Sequence, residues 1–169
     1  IQSLVKLSRM ESGIIAVHSE DTTIKQMLES IQQQFNVKVR EKNITLSLCD
    51  TDLHIRCDSK WTVEALGNIV DNAIKYTACG GNVQIKVEQY SFFVKIDIID
   101  DGIGIEKEEI PKIFGRFYRS LSVADQPGVG IGLFLAREII QAQKGYIKVT
   151  SKRGKGSTFS VFLPIAKKE

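Results

Sequence analysis

The chain has 169 residues, of which 43% are hydrophobic and 25% are charged, a length and composition that allow one globular domain with its own core. Its net charge of +3 is too small to indicate nucleic-acid binding. The three cysteines lack zinc-site spacing, and no apolar run is long enough to span a bilayer.

Hydrophobic periodicity and turn residues predict the secondary structure. In chain order we expect a helix at 1–11, a strand at 14–18, a helix at 22–41, strands at 44–48 and 54–57, a helix at 59–77 capped by Asp58, strands at 82–90 and 92–100, a helix that follows the glycines at 128–132 and ends near 143, and strands at 146–151 and 157–163. Few helices and many consecutive strands predict an α/β fold, a two-layer sandwich with a mixed, mostly antiparallel sheet and about three helices, preceded by a short helix tail.

The predicted helix 59–77 carries a polar face within "ALGNIVDNAIKYT". At 3.6 residues per turn, Asn72 lies about 40° from Asn68, Lys75 lies about 20° to its other side, and Tyr76 lies on the flank. The opposite arc is expected to face the core, and it consists of Leu66, Ile69, Val70 and Ala73. A solvated face is one interpretation. However, asparagine is a poor helix former, and its amide oxygen suits Mg²⁺, so a functional face is the second interpretation.

A glycine-rich run, "GVGIGL" at 128–133, precedes the last predicted helix. Glycines and a helix N-terminus together let backbone N–H groups approach an anion. The spacing is GxGxG, not the GxGxxG of a dinucleotide-binding fold, and no strand directly precedes it. By itself, therefore, this run is only weak evidence for a phosphate site.

The segment "DDGIGI", residues 100–105, follows an apolar strand. A hairpin corner is one interpretation, but the chain continues into "EKEEIPKIFGRFYR" instead of a returning strand. A carboxylate at this strand end could accept a hydrogen bond from an amino group, such as the exocyclic amine of adenine. Such a contact would be specific, because a buried acceptor without a partner is costly.

Taken in order, these segments resemble the sequence boxes of sensor histidine kinases. "ALGNIVDNAIKYT" resembles the N box, "DDGIGI" the G1 box, "IFGRFYR" the F box, "GVGIGL" the G2 box and "GKGSTF" the G3 box. Each match is modest alone, but five in this order are a specific signal. The resemblance covers about residues 14–164, and "LVKLSRMESG" resembles the end of a dimerisation helix hairpin.

The resemblance implies an ATP-binding catalytic domain of the Bergerat type at residues 13–169. Topoisomerases, chaperones and mismatch-repair ATPases share this fold. Residues 1–12 would then be the end of the dimerisation and phosphoacceptor hairpin. ATP and Mg²⁺ are the implied cofactors.

At the phosphate end, the resemblance implies that Asn72 ligates Mg²⁺, with Asn68 supporting that site. Lys75 would meet the phosphates, and Arg119 would be the cation at the γ-phosphate. We count Asn72, Lys75 and Arg119 as the expected catalytic residues. The glycine-rich run would shape the lid over the phosphates, and its expected nucleotide-binding residues are Gly128, Gly130, Gly132 and Leu133.

At the base end, the resemblance implies that Asp100 accepts from the adenine amino group, with Thr158 helping nearby. Asp100 is preferred over Asp101 because it stands two residues before Gly102 in the D-x-G-x-G spacing. Asp101 is expected to be a solvent-facing neighbour. Tyr76 would pack beside the adenine. Close approach to the base would be allowed by Gly102 and Gly104, and Ile105 is also expected to bind the nucleotide.

The residue at position 68 bears on the reaction. Hydrolytic members of the wider group carry a glutamate four residues before the metal-binding asparagine, where it activates water. Here that position holds Asn68, which cannot act as a base. The difference favours phosphoryl transfer to a protein histidine, in which the enzyme mainly positions groups and neutralises charge. Asp71 stands where kinases usually have glutamate, and the sequence assigns it no role.

The expected partners are the dimerisation domain of the same protein and a response regulator, and no nucleic acid. His18 and His54 are the only histidines, and neither lies in a phosphoacceptor pattern, so the acceptor is expected upstream. We expect a monomeric domain, a homodimeric parent, and a place on the cytoplasmic side of a membrane sensor. The alternatives are an anti-sigma-type serine kinase and a regulatory nucleotide-binding module without kinase activity.

Overall fold

The computed structural model describes Val5, Ser8, residues 16–116, Tyr118 and residues 130–165. Within these residues the helices are α1 (Ile24–Glu41), α2 (Ser59–Tyr76) and α3 (Gly132–Ala142). The strands are β1 (Glu20–Thr23), β2 (Thr45–Leu48), β3 (His54–Cys57), β4 (Asn82–Gln89), β5 (Phe93–Asp100), β6 (Tyr146–Lys152) and β7 (Gly156–Pro164). A short 3-10 helix spans Ile110–Lys112. None of the helices in the described part is long and apolar enough to cross a bilayer.

Five strands form a mixed sheet in the order β2-β4-β5-β7-β6. Only β2 and β4 run parallel, while the other neighbours are antiparallel. A parallel pair needs a crossover connection, and here β3 and α2 lie in the chain between β2 and β4. The predicted two-layer α/β fold, with about three helices and a mostly antiparallel sheet, is confirmed.

The core lies between the helices and one face of the sheet. Along β5, Val94, Ile96 and Ile98 are buried, and the residues between them are more exposed, as the alternation of a strand requires. The predicted core arc of α2 is buried throughout, and it consists of Leu66, Ile69, Val70 and Ala73. Because each buried Leu or Ile side chain contributes about 1.5–3 kcal/mol, this arc fixes α2 against the sheet.

The N-terminal strand differs from the prediction. Residues 16–18 are not a strand, and β1 begins instead at Glu20, where it pairs antiparallel with β3 as a separate two-stranded sheet. Pairing with the edge of β3 therefore decided the position of the strand, and the apolar run at 14–18 did not. Only Val5 and Ser8 of the helix predicted at 1–11 are described, and both are helical.

Asp58 begins α2 as the sequence predicted. Its Oδ1 accepts a hydrogen bond from the backbone N–H of Trp61 at 3.1 Å, which satisfies one of the donors left free at a helix start. Its Oδ2 accepts from the backbone N–H of His18 at 2.9 Å, and its own N–H donates to Gln143 Oε1 at 2.7 Å. Asp58 thus joins the start of α2 to the N-terminal segment and to the end of α3.

Candidate functional site

A pocket opens where the second half of α2, the loop after β5, the start of α3 and the β6–β7 turn meet. Apolar walls come from Ile103, Ile113 and Phe159. Six residues predicted to bind a nucleotide line it, and they are Asn72, Tyr76, Asp100, Gly104, Ile105 and Leu133. These residues come from three separate segments of the chain, so their convergence is a property of the fold.

Asp100 ends β5 with its side chain turned into this pocket. The residue is 9% exposed, and its Oδ1 accepts a hydrogen bond from the backbone N–H of Gly102 at 2.9 Å. Burial raises the pKa of the Asp100 carboxyl, although hydrogen bonds from the backbone N–H groups of Gly102 and Ser157 act in the opposite direction. A buried acceptor of this kind fits recognition of an amino group.

Asp101 is exposed, and its side chain accepts two hydrogen bonds. Its Oδ1 accepts from the backbone N–H of Asn82 at 2.8 Å, and its Oδ2 accepts from the Asn82 side-chain amide at 3.0 Å. These hydrogen bonds hold the pKa of the Asp101 carboxyl below its usual range. Asp101 therefore fixes the turn to the start of β4, a role that the sequence did not indicate.

The glycines of this turn make close approaches within the protein. A Cβ atom at Gly102 would lie 2.3 Å from the carbonyl oxygen of Tyr76, which also accepts from the backbone N–H of Ile103 at 3.1 Å. Gly104 has a φ of +72°, and a Cβ atom there would lie 2.1 Å from the carbonyl oxygen of Lys152. Both glycines thus seat the turn against its neighbours. Their approach to a base, which the resemblance implies, stays a prediction.

The register between β5 and β7 separates Ser157 from Thr158. Ser157 pairs with Asp100 and lines the pocket, whereas Thr158 pairs with Ile99. Adjacent side chains on a strand point to opposite faces, so Thr158 points away from the pocket. The structure therefore differs from the prediction for Thr158, and Ser157 is the residue that stands beside Asp100.

The polar face of α2 has three distinct environments. Asn72 lines the pocket. One turn earlier, Asn68 Nδ2 donates to the carbonyl oxygen of Gly132 at 3.2 Å and so connects α2 with the first turn of α3. Lys75 does not line the pocket, and its Nζ lies 3.1 Å from Asp71 Oδ2. The asparagines and the lysine share a face, as predicted, but they do not all reach the cavity.

Asp71 holds two lysines from different helices. Its Oδ1 lies 2.9 Å from Lys38 Nζ of α1, in addition to the contact with Lys75. Burial raises the pKa of Asp71, but the hydrogen bond from Lys38 and the charge of Lys75 outweigh it, and the net pKa is lowered. The spacing of Asp71 and Lys75 was readable in the sequence, whereas Lys38 was not, because it is distant in the chain.

Two predicted residues, Arg119 and Gly128, lie outside the described residues. Gly130 has a φ of +75°, a conformation that favours glycine. Ile131 precedes α3 and makes no side-chain capping hydrogen bond. The Ile131 side chain therefore does not occupy the backbone N–H groups at the start of α3. Such N–H groups can bind an anion.

Three further pocket residues were not predicted, namely Glu109, Tyr118 and Arg153. The hydroxyl of Tyr118 donates to Glu109 Oε1 at 3.0 Å. Burial, together with the Glu109 carboxylate, raises the pKa of Tyr118. Tyr118 lies in the F-box segment, so that segment was a signal for it, but Arg153 lies in the β6–β7 turn and had none.

No described group of three His, Cys, Asp or Glu side chains could hold a metal ion. Mg²⁺ does not require such a group, because it commonly binds one or two protein oxygens together with phosphate and water. The Asn72 amide oxygen is a suitable ligand by its chemistry and its place in the pocket.

Comparison with known proteins gives consistent matches. Residues 57–167 match the family model described as histidine kinase-, DNA gyrase B- and HSP90-like ATPase. Sensor histidine kinase WalK of Bacillus subtilis (strain 168) is 33% identical over 169 residues, which cover 97% of this chain and 28% of WalK. The chain thus spans less than a third of that relative.

Solved structures share the fold. The mycobacterial sensor histidine kinase MprB superposes with a TM-score of 0.77 at 25% identity, over 88% of this chain and 98% of that one. Histidine kinase ThkA, solved in complex with response regulator protein TrrA, superposes with a TM-score of 0.77 at 21% identity, over 98% of this chain and 48% of that one. At that identity the ThkA match establishes the fold alone.

Proposed function

The chain belongs to the histidine kinase-, DNA gyrase B- and HSP90-like ATPase family, and we propose that it is the ATP-binding catalytic domain of a sensor histidine kinase. The domain would transfer the γ-phosphoryl group of Mg-ATP to a histidine on the dimerisation domain. From there the group would pass to an aspartate of a response regulator. The relationship to WalK supports this assignment.

The observation that carries the proposal is the convergence of Asn72, Tyr76 and Asp100 on one pocket. Asp100 supplies a buried acceptor for the adenine amino group, and Ser157 stands beside it. Tyr76 supplies an aromatic wall. Asn72 lies one helical turn before Tyr76, about 6 Å closer to the N-terminus of α2, and would face the phosphates.

At the phosphate end, Asn72 would hold Mg²⁺ through its amide oxygen. The metal would neutralise charge on the phosphates. Asn68 keeps the start of α3 in place through Gly132, so it would support this arrangement indirectly. Lys75 would leave Asp71 to meet the phosphates, and Lys38 would remain as the partner of Asp71. Arg119 and the glycines from Gly128 to Gly132 would complete the site.

The residues near the phosphates favour transfer over hydrolysis. Asn68 occupies the position of the hydrolytic glutamate, and an amide cannot remove a proton from water. Its side chain is also engaged with Gly132. The enzyme would therefore act by positioning the γ-phosphate and neutralising its charge while a histidine supplies the nucleophile.

The remaining assignments concern the parent protein. We assign the dimerisation domain and a response regulator as its partners, with ThkA as a relative by fold that has been solved with such a regulator. The parent would be a homodimeric membrane sensor with this domain on the cytoplasmic side. Residues 1–12 would be the end of the dimerisation hairpin.

The proposal is tested by ATP binding to the wild type and to Asn72→Ala, with Mg²⁺ and with EDTA. We expect Asn72→Ala to weaken binding at least about tenfold with Mg²⁺, because a hydrogen-bonding or metal-binding group at a charged site contributes about 1.5–3 kcal/mol. In EDTA the two proteins should bind alike. Calorimetric titration measures both.

Asn36→Ala is the matched control, because Asn36 is an exposed asparagine on α1. Its affinity should equal that of the wild type in both buffers. Equal affinities of the wild type and Asn72→Ala with Mg²⁺ would remove the metal role. A wild type that does not bind ATP would remove the proposed function.

A further inference from the structure

Arg153 lies in the β6–β7 turn and lines the pocket. It was not among the residues that the sequence boxes predicted to bind a nucleotide. It lies next to the turn that carries Asp100, the residue proposed to bind the base. A Cβ atom at Gly104 would lie 2.9 Å from the Arg153 Cα atom, so the two backbones are in direct contact. Its position is thus fixed by the same turn that positions Asp100.

Several hydrogen bonds hold the β6–β7 turn in this place. The backbone N–H of Gly154 donates to the carbonyl oxygen of Ile103 at 2.7 Å, and the backbone N–H of Ile105 donates to Ser151 Oγ at 2.8 Å. The turn is therefore part of the pocket rim. A side chain on it can contact a ligand without first ordering a loop.

The side chain of Arg153 is held only loosely. Its Nε lies 3.8 Å from Glu106 Oε1, and it is 42% exposed. Exposed ion pairs of this length add little to stability. The guanidinium can therefore lie against a ligand at little cost, and its removal should leave the fold intact.

We propose that Arg153 contacts the purine base of the bound nucleotide and packs its guanidinium plane against the ring. The inference rests on the proposed function, because it takes Asp100 as the acceptor of the adenine amino group. A planar guanidinium stacks on nucleobases, and an ammonium does not. Arg153, which is 42% exposed, thereby forms an outer part of the base site, to which Phe159 contributes a buried apolar part.

The location predicts which ligands depend on Arg153. The proposed function puts the phosphates beside Asn72, one turn before Tyr76 on α2. Arg153 stands instead against Gly104, in the turn that follows Asp100. A residue that contacts the base should contribute equally to adenosine, ADP and ATP. A residue that acts by charge on the phosphates should contribute more as phosphates are added.

The test measures the affinities of adenosine, ADP and Mg-ATP for the wild type, Arg153→Ala and Arg153→Lys. We expect Arg153→Ala to weaken all three ligands by the same factor, about three- to tenfold. Arg153→Lys should show a similar loss, because it keeps the charge and loses the plane. Calorimetry measures ADP and ATP, and chemical-shift titration measures adenosine.

Lys155→Ala is the matched control, because Lys155 lies on the same turn and does not line the pocket. It should bind all three ligands like the wild type and share the thermal midpoint of Arg153→Ala. The inference would be overturned if Arg153→Ala weakened the binding of ATP and ADP but not of adenosine. It would also be overturned if Arg153→Lys or Arg153→Ala kept the affinity of the wild type. These results leave the proposed function standing, whereas a wild type that binds none of the ligands would overturn both.

Discussion

At the scale of single residues, two adjacent acids in one turn have opposite environments. Asp100 is buried and faces the pocket, and burial raises its pKa. Asp101 is exposed and accepts two hydrogen bonds from Asn82, which lower its pKa. The ionised form is therefore disfavoured at Asp100 and favoured at Asp101. The two acids of this turn should therefore have different roles, Asp100 in binding and Asp101 in stability.

We expect Asp100→Asn and Asp101→Asn to fail in different assays. A folded-state pKa that is raised means that the ionised Asp100 carboxylate opposes folding at neutral pH, so Asp100→Asn should keep the thermal midpoint or raise it slightly. The same change should weaken ATP binding at least about tenfold. It replaces one carboxylate oxygen with an NH2 group, which cannot accept a hydrogen bond from the adenine amino group. Calorimetry and thermal melting give the two values.

Asp101→Asn should show the reverse pattern, with a lower thermal midpoint at neutral pH and nearly unchanged ATP affinity. Because the Asp101 pKa is lowered, its contribution to stability is present above the ordinary carboxyl pKa and is lost as the pH falls through the lowered value. The difference in midpoint from the wild type should therefore close at low pH. Equal weakening of ATP binding by both variants would contradict the assignment.

At the scale of elements, α2 carries the core on one face and the site on another. Its apolar arc packs against the sheet, and its polar face joins α3 through Asn68 and α1 through Asp71. Its start is fixed by Asp58, which also contacts Gln143 just after α3. The helix is therefore anchored at its N-cap, about 20 Å from Asn72 at 1.5 Å per residue.

Asp58→Ala should destabilise the fold by about 1–2 kcal/mol, because it removes the N-cap of α2. The ATP affinity of the folded protein should not change, since the pocket lies at the other end of the helix. Denaturant unfolding measures the stability, and calorimetry below the thermal midpoint measures the affinity.

Asp50→Ala serves as the comparison, because Asp50 is an aspartate whose side chain is 86% exposed and which forms an ion pair of 3.4 Å with Lys25. It should leave the free energy of unfolding nearly unchanged. Similar losses of stability in both variants would show that Asp58 does not act as a cap.

At the scale of the whole molecule, the two histidines lie away from the candidate site. His18 lies before β1, and its backbone N–H donates to Asp58. His54 lies in β3, with its Nδ1 atom 3.8 Å from Asp21. Neither histidine stands on a helix, and neither lines the pocket. This arrangement fits a domain that phosphorylates a histidine elsewhere.

The chain should bind Mg-ATP, hydrolyse it slowly, and take up no label from γ-labelled ATP. The reason is that Asn68 cannot activate water and that the two histidines lie outside helices. Acid-labile label on the protein and release of labelled phosphate are the two measurements, with Asn72→Ala as the background control. Label on His18 or His54 would contradict the expected acceptor, and fast hydrolysis would contradict the kinase assignment.

Local patterns in the sequence determined the helices, most strand positions and the two faces of α2. The periods of 3.6 and 2 residues and the capping aspartate are set by neighbours in the chain, so they are readable without the fold. The same holds for Asp100, which follows a strand and precedes Gly102. The resemblance to the kinase boxes implied the nucleotide roles of Asn72, Tyr76 and Asp100, and the pocket brings these residues together.

Only the tertiary structure decided which residues meet across the chain. A shift of one residue in strand register exchanges the two faces, so Ser157 stands beside Asp100 and Thr158 does not. The position of β1 depended on the edge of β3, and the partner of Asp71 on helix packing. Arg153 enters the pocket because the β6–β7 turn contacts Gly104. Such contacts join segments far apart in sequence, and no local pattern specifies them.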